Sequence, residues 1–315
     1  MSNPLLSVQN LTKTFGRRLV INNVSFEVFE GEIFGLLGPV NSGKSAILRA
    51  ITGALIPDKG ELLLNDINYK DDYVGATKNM SGYISLPRLY KHLNGLDNMR
   101  IFTSMHEKIS DEILRNTAKI VDAEHLLKLK ACKYTLAERQ KLFIAISLAV
   151  NPKLIVLDDP FAGLNAKELK NLQDTIVHLA TKYKIAFIIS SQMLGHMENI
   201  CTHIAIINNG SILENRSMET LKLESMKDSK LAFTVDYPNY AGKIIFNEFN
   251  CRVQLCGNKV LAYLPATNKD KVLERLTNYK ISTFKVEIIT KSLQQLLEEV
   301  LQRKAMNKSW VEEYN

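Results

Sequence analysis

The stretch EGEIFGLLGPVNSGKSAILRAITG, residues 30–53, decides the fold. Ile33–Leu37 is a short apolar run of strand type, and Ala46–Thr52 has helical character. Between them Gly38-Pro-Val-Asn-Ser-Gly43-Lys44-Ser45 fits the pattern G-x-x-x-x-G-K-[ST]. Phosphate binding asks for those residue types at that spacing. The glycines let main-chain N–H groups turn inward around phosphate oxygens, and the N-terminus of the following helix adds a favourable dipole. Lys44 would reach the β- and γ-phosphates, and the Ser45 hydroxyl would ligate Mg²⁺. Gly38, Asn41, Ser42, Gly43, Lys44, Ser45 and Ala46 are therefore the residues expected to hold a nucleotide.

Working outward, LLSVQNLTKTF (5–15) and LVINNVSFEVF (19–29) read as strands, the second with clear apolar–polar alternation. ELLLNDINY (61–69) is a further strand ending in a turn. Residues 86–135 change character, and Ile109 to Leu129 carries helical apolar spacing, as does Thr135 to Leu148. KLIVLDDP (153–160) follows, a continuous apolar run closed by Asp158 and Asp159. A hydrophobic strand ending in acid downstream of a P-loop is the Walker B arrangement, in which Asp158 would hold the Mg²⁺ shell. LKNLQDTIVHLATKY (169–183) reads as an amphipathic helix and AFIISS (186–191) as a buried strand. HIAIINNGSIL (203–213) reads as a hairpin turning at Asn-Gly. Strand–helix alternation of this kind predicts an α/β unit with a parallel sheet.

Residues 1–222 thus form the nucleotide-binding domain, with its helical subdomain over about 86–135. The polar stretch 223–230 reads as a linker. Beyond it, KLAFTVDY, YAGKIIFNEF, CRVQLC, KVLAYLP, KDKVLERLTNYK and TFKVEIIT run in the order βαββαβ. That order predicts a small ferredoxin-like α+β domain over 231–303, with SLQQLLEEVLQRK as a closing helix. Residues 304–315 form a polar tail holding the only tryptophan, Trp310.

Composition narrows the classes. With 46% hydrophobic and 23% charged residues, 15 Gly and 8 Pro among 315, the chain is neither disordered nor collagenous. The mean hydropathy is -0.07, and no apolar run approaches the ~20 residues that span a bilayer. The N-terminus shows no basic cluster followed by an apolar core, so no secretory signal is expected. Four cysteines are too few for a disulfide framework, and six scattered histidines lack ligand spacing. The net charge of +7 is compatible with a phosphate ligand, a nucleic acid, an anionic membrane face or simply a basic solvated surface.

The motif order over residues 1 to about 222 resembles the ATP-binding subunits of ABC transporters. Phe15 stands where that family places the aromatic that stacks on adenine. Tyr134-Thr135-Leu136-Ala137-Glu138-Arg139-Gln140 falls in the place of the signature motif, Leu164-Asn165 in that of the D-loop, and Ser190-Ser191-Gln192 where a switch histidine ends a strand. The subgroup serving bacitracin- and lantibiotic-type exporters is the most similar, with a signature like Ser-Leu-Gly-Met-Lys-Gln and a βαββαβ-like tail. The resemblance implies a P-loop ABC ATPase fold with an antiparallel β subdomain, and ATP and Mg²⁺ as cofactors. It implies a head-to-tail dimer in which Thr135 and Ala137 of one subunit complete the other's site, the second ATP-binding subunit being identical or different. It also implies a separately encoded membrane permease and a place on the cytoplasmic face of the membrane. Leu86, Leu89, Tyr90 and Leu93, in the helical segment Leu86–Arg100, would either receive a short permease helix or pack as subdomain core. With neither a second ATPase cassette nor a long basic arm, no nucleic-acid partner is expected.

The sequence departs from the family pattern at the hydrolysis positions. Asp159 replaces the glutamate that polarises water, and Gln192 replaces the switch histidine; these are the catalytic positions. Neither Ser85 nor Leu86 is the Q-loop glutamine, Thr135 and Ala137 replace Ser and Gly in the signature, and Asn165 replaces the D-loop aspartate. Two readings follow: an exporter subunit that hydrolyses ATP slowly, or a catalytically impaired regulatory subunit. His196, four residues past Gln192, is a candidate substitute for the switch.

Overall fold

Strands β1 (Leu6–Phe15) and β2 (Arg18–Val28) form a hairpin whose inward residues, Leu6, Val8, Leu11, Ile21, Val24 and Val28, are buried. This description comes from a computed structural model covering residues 3–85, 88–106, 109–227 and 230–289. β3 (Ile33–Leu37) is buried at every position, as expected of a strand covered on both faces, and leads through the glycine-bearing loop into α1 (Lys44–Ile51). β4 (Lys59–Leu64) and β5 (Ile67–Asn68) are joined by Asn65-Asp66, whose φ angles of 53° and 63° make the tight turn that suits strand twist. These antiparallel strands take the order β2-β1-β4-β5.

After α2 (Tyr73–Thr77) and β6 (Met80–Tyr83) comes the helical subdomain of α3 (Gly95–Thr103), α4 (Asp111–Ile120) and α5 (Leu136–Ala149). Tight 3₁₀ turns at Glu124–Lys128 and Ala131–Lys133 precede α5. Each helix starts at a side-chain cap: Asn94 accepts from Asp97 N, Ser110 from Ile113 N and Thr135 from Glu138 N. β7 (Leu154–Leu157), α6 (Ala166–Tyr183), β8 (Ala186–Ser191), β9 (His203–Asn208) and β10 (Ser211–Ser217) complete the unit. The larger sheet runs β10-β9-β3-β8-β7-β6, parallel throughout except for β10 at its edge. One buried cluster, including Phe26, Phe34, Ile47, Ile51, Leu62 and Ile188, ties the antiparallel sheet to the parallel one through α1. Each such side chain contributes roughly 1.5–3 kcal/mol by leaving water.

The chain divides into two compact units, Met1–Ser217 and Met218–Asn315. The second opens with α7 (Met218–Lys227), followed by β11 (Lys230–Val235), α8 (Pro238–Phe249), β12 (Val253–Cys256), β13 (Lys259–Ala262), α9 (Lys269–Asn278) and β14 (Thr283–Ile289). Its antiparallel sheet has the order β12-β13-β11-β14, the split arrangement that βαββαβ chains adopt. Leu231, Phe233, Ile245, Val260, Val272 and Leu276 form its own core.

Three local expectations change. The stretch 61–69, expected as one strand ending in a turn, folds back at Asn65-Asp66 into β4 and β5, because both residues tolerate positive φ. The stretch 223–230 read as a linker is helical as far as Lys227, because Met, Glu, Leu and Lys are good helix formers despite their polarity. The helix expected over Leu86–Arg100 begins only at Gly95, where the Asn94 side chain captures the Asp97 N–H. Leu86, the closing helix at 292–304 and the tail with Trp310 lie outside the described residues.

Candidate nucleotide-binding site

The neighbouring strands β3, β8 and β7 end side by side, the place where parallel sheets collect their functional loops. β3 releases the chain at Gly38, whose N–H donates to the Ser191 carbonyl at 3.2 Å. The loop that follows must pass close to other backbone. A Cβ on Gly38 would stand 2.2 Å from the Ile207 carbonyl oxygen, and one on Gly43 2.7 Å from that of Val20. Gly43 also has φ 107°, which side chains rarely adopt. Gly43 starts α1 with no side-chain cap and no acid in the first turn, unlike α3, α4, α5 and α6. The first N–H groups of α1 are thus left without the cap its neighbours have, in the arrangement that takes an anion.

Lys44 is 8% exposed, and its Nζ donates to the carbonyls of Gly38 (2.7 Å) and Pro39 (2.8 Å) and to Ser42 Oγ (3.3 Å). Burial pushes its pKa below the ordinary lysine value, while Asp158 and Asp159 pull it back up. Across the cavity Ser190 Oγ donates to Asp158 Oδ1 at 2.5 Å and accepts the Asp159 N–H at 2.8 Å, which fixes both acids at the end of β7. Asp159 sits at φ 47°, a left-handed conformation that Asp tolerates. Burial, and then the charge of Asp158, push its carboxyl above the usual range, with His196, Lys44 and a hydrogen bond from Gln192 opposing.

Asn41, Ser42, Gly43, Lys44, Ser45, Ala46, Asp158, Asp159 and Gln192 line one cavity of about 440 Å³. Ser85 lines it too. Gly38 is buried beneath the loop. Other sequence-predicted residues stand apart from that lining. Phe15 is 51% exposed at the hairpin tip, with Lys13 Nζ 5.7 Å from its ring centre. Thr135 and Ala137 lie at the start of α5, where Thr135 and Glu138 form a reciprocal capping box. Arg18, Val20 and Val40 line the cavity without having been singled out from sequence. Arg18 pairs with Phe15 across the hairpin, and Arg18 and Val20, two residues apart, share one strand face, which was the available signal. His196 packs edge-on to Phe161 (5.8 Å) and its Nδ1 is 3.3 Å from Ser191 Oγ, just behind the lining.

A hydroxyl and a carboxylate are hard oxygen donors suited to Mg²⁺, and beside them stand the Lys44 ammonium and an uncapped helix start. The residues fit a Mg²⁺-bound nucleoside polyphosphate. A family profile described as ABC transporter matches residues 21–162. Two ABC transporter ATP-binding proteins of Bacillus subtilis, both described as uncharacterized, are similar to the chain. YdbJ is 32% identical over 70% of this chain and 71% of its own length, and YhcH is 29% identical over 92% and 93%. The lantibiotic transport ATP-binding protein SrtF of Streptococcus pyogenes is 28% identical, over 73% of this chain and 98% of its own. A solved nucleotide-free ATP-binding cassette of an ABC transporter superposes with a TM-score of 0.65 at 23% identity, covering 70% of this chain and 94% of that one. The chain belongs to the ATP-binding subunits of ABC transporters, and of that family's standard ligands it takes ATP with Mg²⁺.

Proposed function

We propose that the chain is the ATP-binding subunit of an exporter for peptides or peptide antibiotics, acting through a separate membrane permease. The observation that carries the ATP-driven part is the single cavity in which the uncapped start of α1 and Lys44 face Asp158. The peptide cargo is supported by the lantibiotic transport relative. Among the described residues no helix is long and apolar enough to cross a membrane, so the reading assigns the span to a partner. The subunit would work at the cytoplasmic membrane face in a head-to-tail pair, with Thr135 and Ala137 of each copy completing the other's site.

In this reading the α1 main chain and Lys44 bind and orient the phosphates. Ser45 and Asp158 hold Mg²⁺, which supplies charge neutralisation to the phosphate oxygens when bound. Asp159 orients water as the general base and Gln192 holds Asp159 through its hydrogen bond. Phe15 would stack on the base from the hairpin tip. A second reading, a regulatory subunit with little turnover, draws on the same cavity. Asp159, Gln192 and Ser85 occupy its catalytic side, and each differs from the family's hydrolytic residue.

The test is nucleotide affinity measured directly, together with steady-state ATPase activity in Mg²⁺. Tight binding with turnover that Lys44→Ala abolishes supports the exporter motor. Tight binding without turnover selects the regulatory reading, and failure to bind ATP removes both.

A further inference from the structure

Arg18 lines the nucleotide cavity, is exposed, and among the described residues forms no ion pair. Two other cations nearby are held by the protein itself. Lys13 Nζ lies 2.7 Å from Asp58 Oδ1, and Asp58 also accepts the Thr14 N–H at 2.8 Å. Lys44 Nζ donates to the carbonyls of Gly38 and Pro39. A guanidinium on a cavity wall with no anion of its own is free to take one from a ligand.

The fold fixes where this side chain can reach. Phe15 and Arg18 stand directly opposite each other across the hairpin, and Val20 follows two residues on, so the three share one face. β2 is pinned to the phosphate loop at its Val20 end. Asn22 N donates to the Gly210 carbonyl and Gly210 N to the Ser42 carbonyl, each at 2.8 Å. A Cβ on Gly43 or on Gly210 would fall 2.7 or 2.5 Å from the Val20 carbonyl oxygen. Arg18 therefore stands about 7 Å along the strand from the point where Val20 meets the start of α1, a step that an arginine side chain can cover. It lies between Phe15 at the hairpin tip and the Gly43-Lys44 cradle. Asp158 and Asp159 line the cavity from the end of β7, beyond Lys44.

We propose that Arg18 grips the inner phosphates of the bound nucleotide, those that ATP and ADP share, between the base on Phe15 and the terminal phosphate on Lys44. The inference rests on the nucleotide reading. A guanidinium presents a planar fork of donors that matches two phosphate oxygens, and it is always charged. Because both nucleotides carry the inner phosphates, the contact holds product as firmly as substrate and does not depend on which base is bound.

The experiment is calorimetric titration of the full chain with ATP, ADP and GTP in Mg²⁺, for the wild type, Arg18→Gln, Arg18→Lys and Arg17→Gln. Arg18→Gln removes one charge-assisted contact and is expected to weaken all three nucleotides by the same factor, about tenfold. Arg18→Lys should lose less, because it keeps the charge without the fork. Arg17, in the hairpin turn, is outside the cavity lining, so Arg17→Gln makes the same charge change and should bind like the wild type. Equal urea midpoints check that the exposed substitutions leave the fold intact. A loss for ATP alone would put Arg18 on the terminal phosphate, and unequal losses for ATP and GTP would put it on the base. Equal losses at Arg17 and Arg18 would mean a general field, and unchanged affinity in Arg18→Gln would mean no contact. Each of these overturns the proposal. A wild type that binds none of the three would instead remove the nucleotide reading, and the role of Arg18 with it.

Discussion

The two sides of the nucleotide cavity are built from different materials. On the cradle side the working groups are main-chain N–H donors and one lysine, held by glycines whose surroundings exclude any other residue. On the opposite wall, where hydrolysis is proposed, single side chains stand at each position, Asp159, Gln192 and Ser85. The difference explains what has changed and what has not. A Cβ at Gly38 would strike the Ile207 carbonyl, so the fold itself polices that position. Exchanging Glu for Asp or His for Gln at a cavity wall disturbs no packing, so only chemistry resists it. Two further departures are equally neutral to the fold. Asn165 and Thr135 begin α6 and α5 and cap them with their side-chain oxygens, a task Asp and Ser perform equally well.

The sharpest way to break this comparison is to attack the cradle. Lys44→Ala removes the cavity's buried cation, and charge-assisted hydrogen bonds contribute ~1.5–3 kcal/mol each. ATP affinity should fall about 10²-fold or more, read by titration with a fluorescent ATP analogue; an unchanged affinity would mean the main chain suffices. Next comes the wall opposite. Asp159→Glu advances the carboxylate by about 1 Å, and an offset of that size is worth ~10²-fold in rate. Turnover per subunit should rise by that order at constant affinity; if it does not, the hydrolysis side is limited elsewhere. Gln192→His should add about tenfold through one stronger hydrogen bond toward the phosphates. Its effect should be larger on the Asp159→Glu background, since residues that act as a unit are not additive.

Legibility followed the same division. The P-loop, its flanking strand and helix, the acid-ended strand and the βαββαβ order of the second unit were all readable, because each rests on local pattern: fixed spacing, apolar runs and turn residues. Asn209-Gly210 turns where the sequence places a turn, with positive φ at both residues, whereas Asn65-Asp66 turns inside the stretch 61–69 that reads as one strand. Features made by long-range docking were not readable. Arg18 and Val20 reach the cavity only because the first hairpin packs beside the P-loop, with a Gly210–Val20 approach so close that no Cβ fits. The helix start at Gly95 was misplaced because a single Asn side chain outweighs the apolar spacing before it.

The smallest expected effect tests whether Thr135 belongs to structure or to chemistry. Its Oγ1 accepts from Glu138 N at 3.2 Å while Glu138 Oε2 accepts from Thr135 N at 2.8 Å. Thr135→Ala removes the hydroxyl half of that exchange, leaving the main-chain N–H to Glu138, and should cost about 1 kcal/mol, read as a lower urea midpoint at unchanged slope. Thr135→Ser keeps a hydroxyl at the same place, so its stability should match the wild type. Turnover then separates the two roles. If Thr135 serves only as a cap, Thr135→Ala lowers stability and leaves turnover per folded subunit where it was. If it also completes a partner's nucleotide site, Thr135→Ala slows turnover at concentrations where the subunits pair, and Thr135→Ser restores it. The second outcome would place the start of α5 on the hydrolysis side of the comparison, retained there for its chemistry as well as its cap.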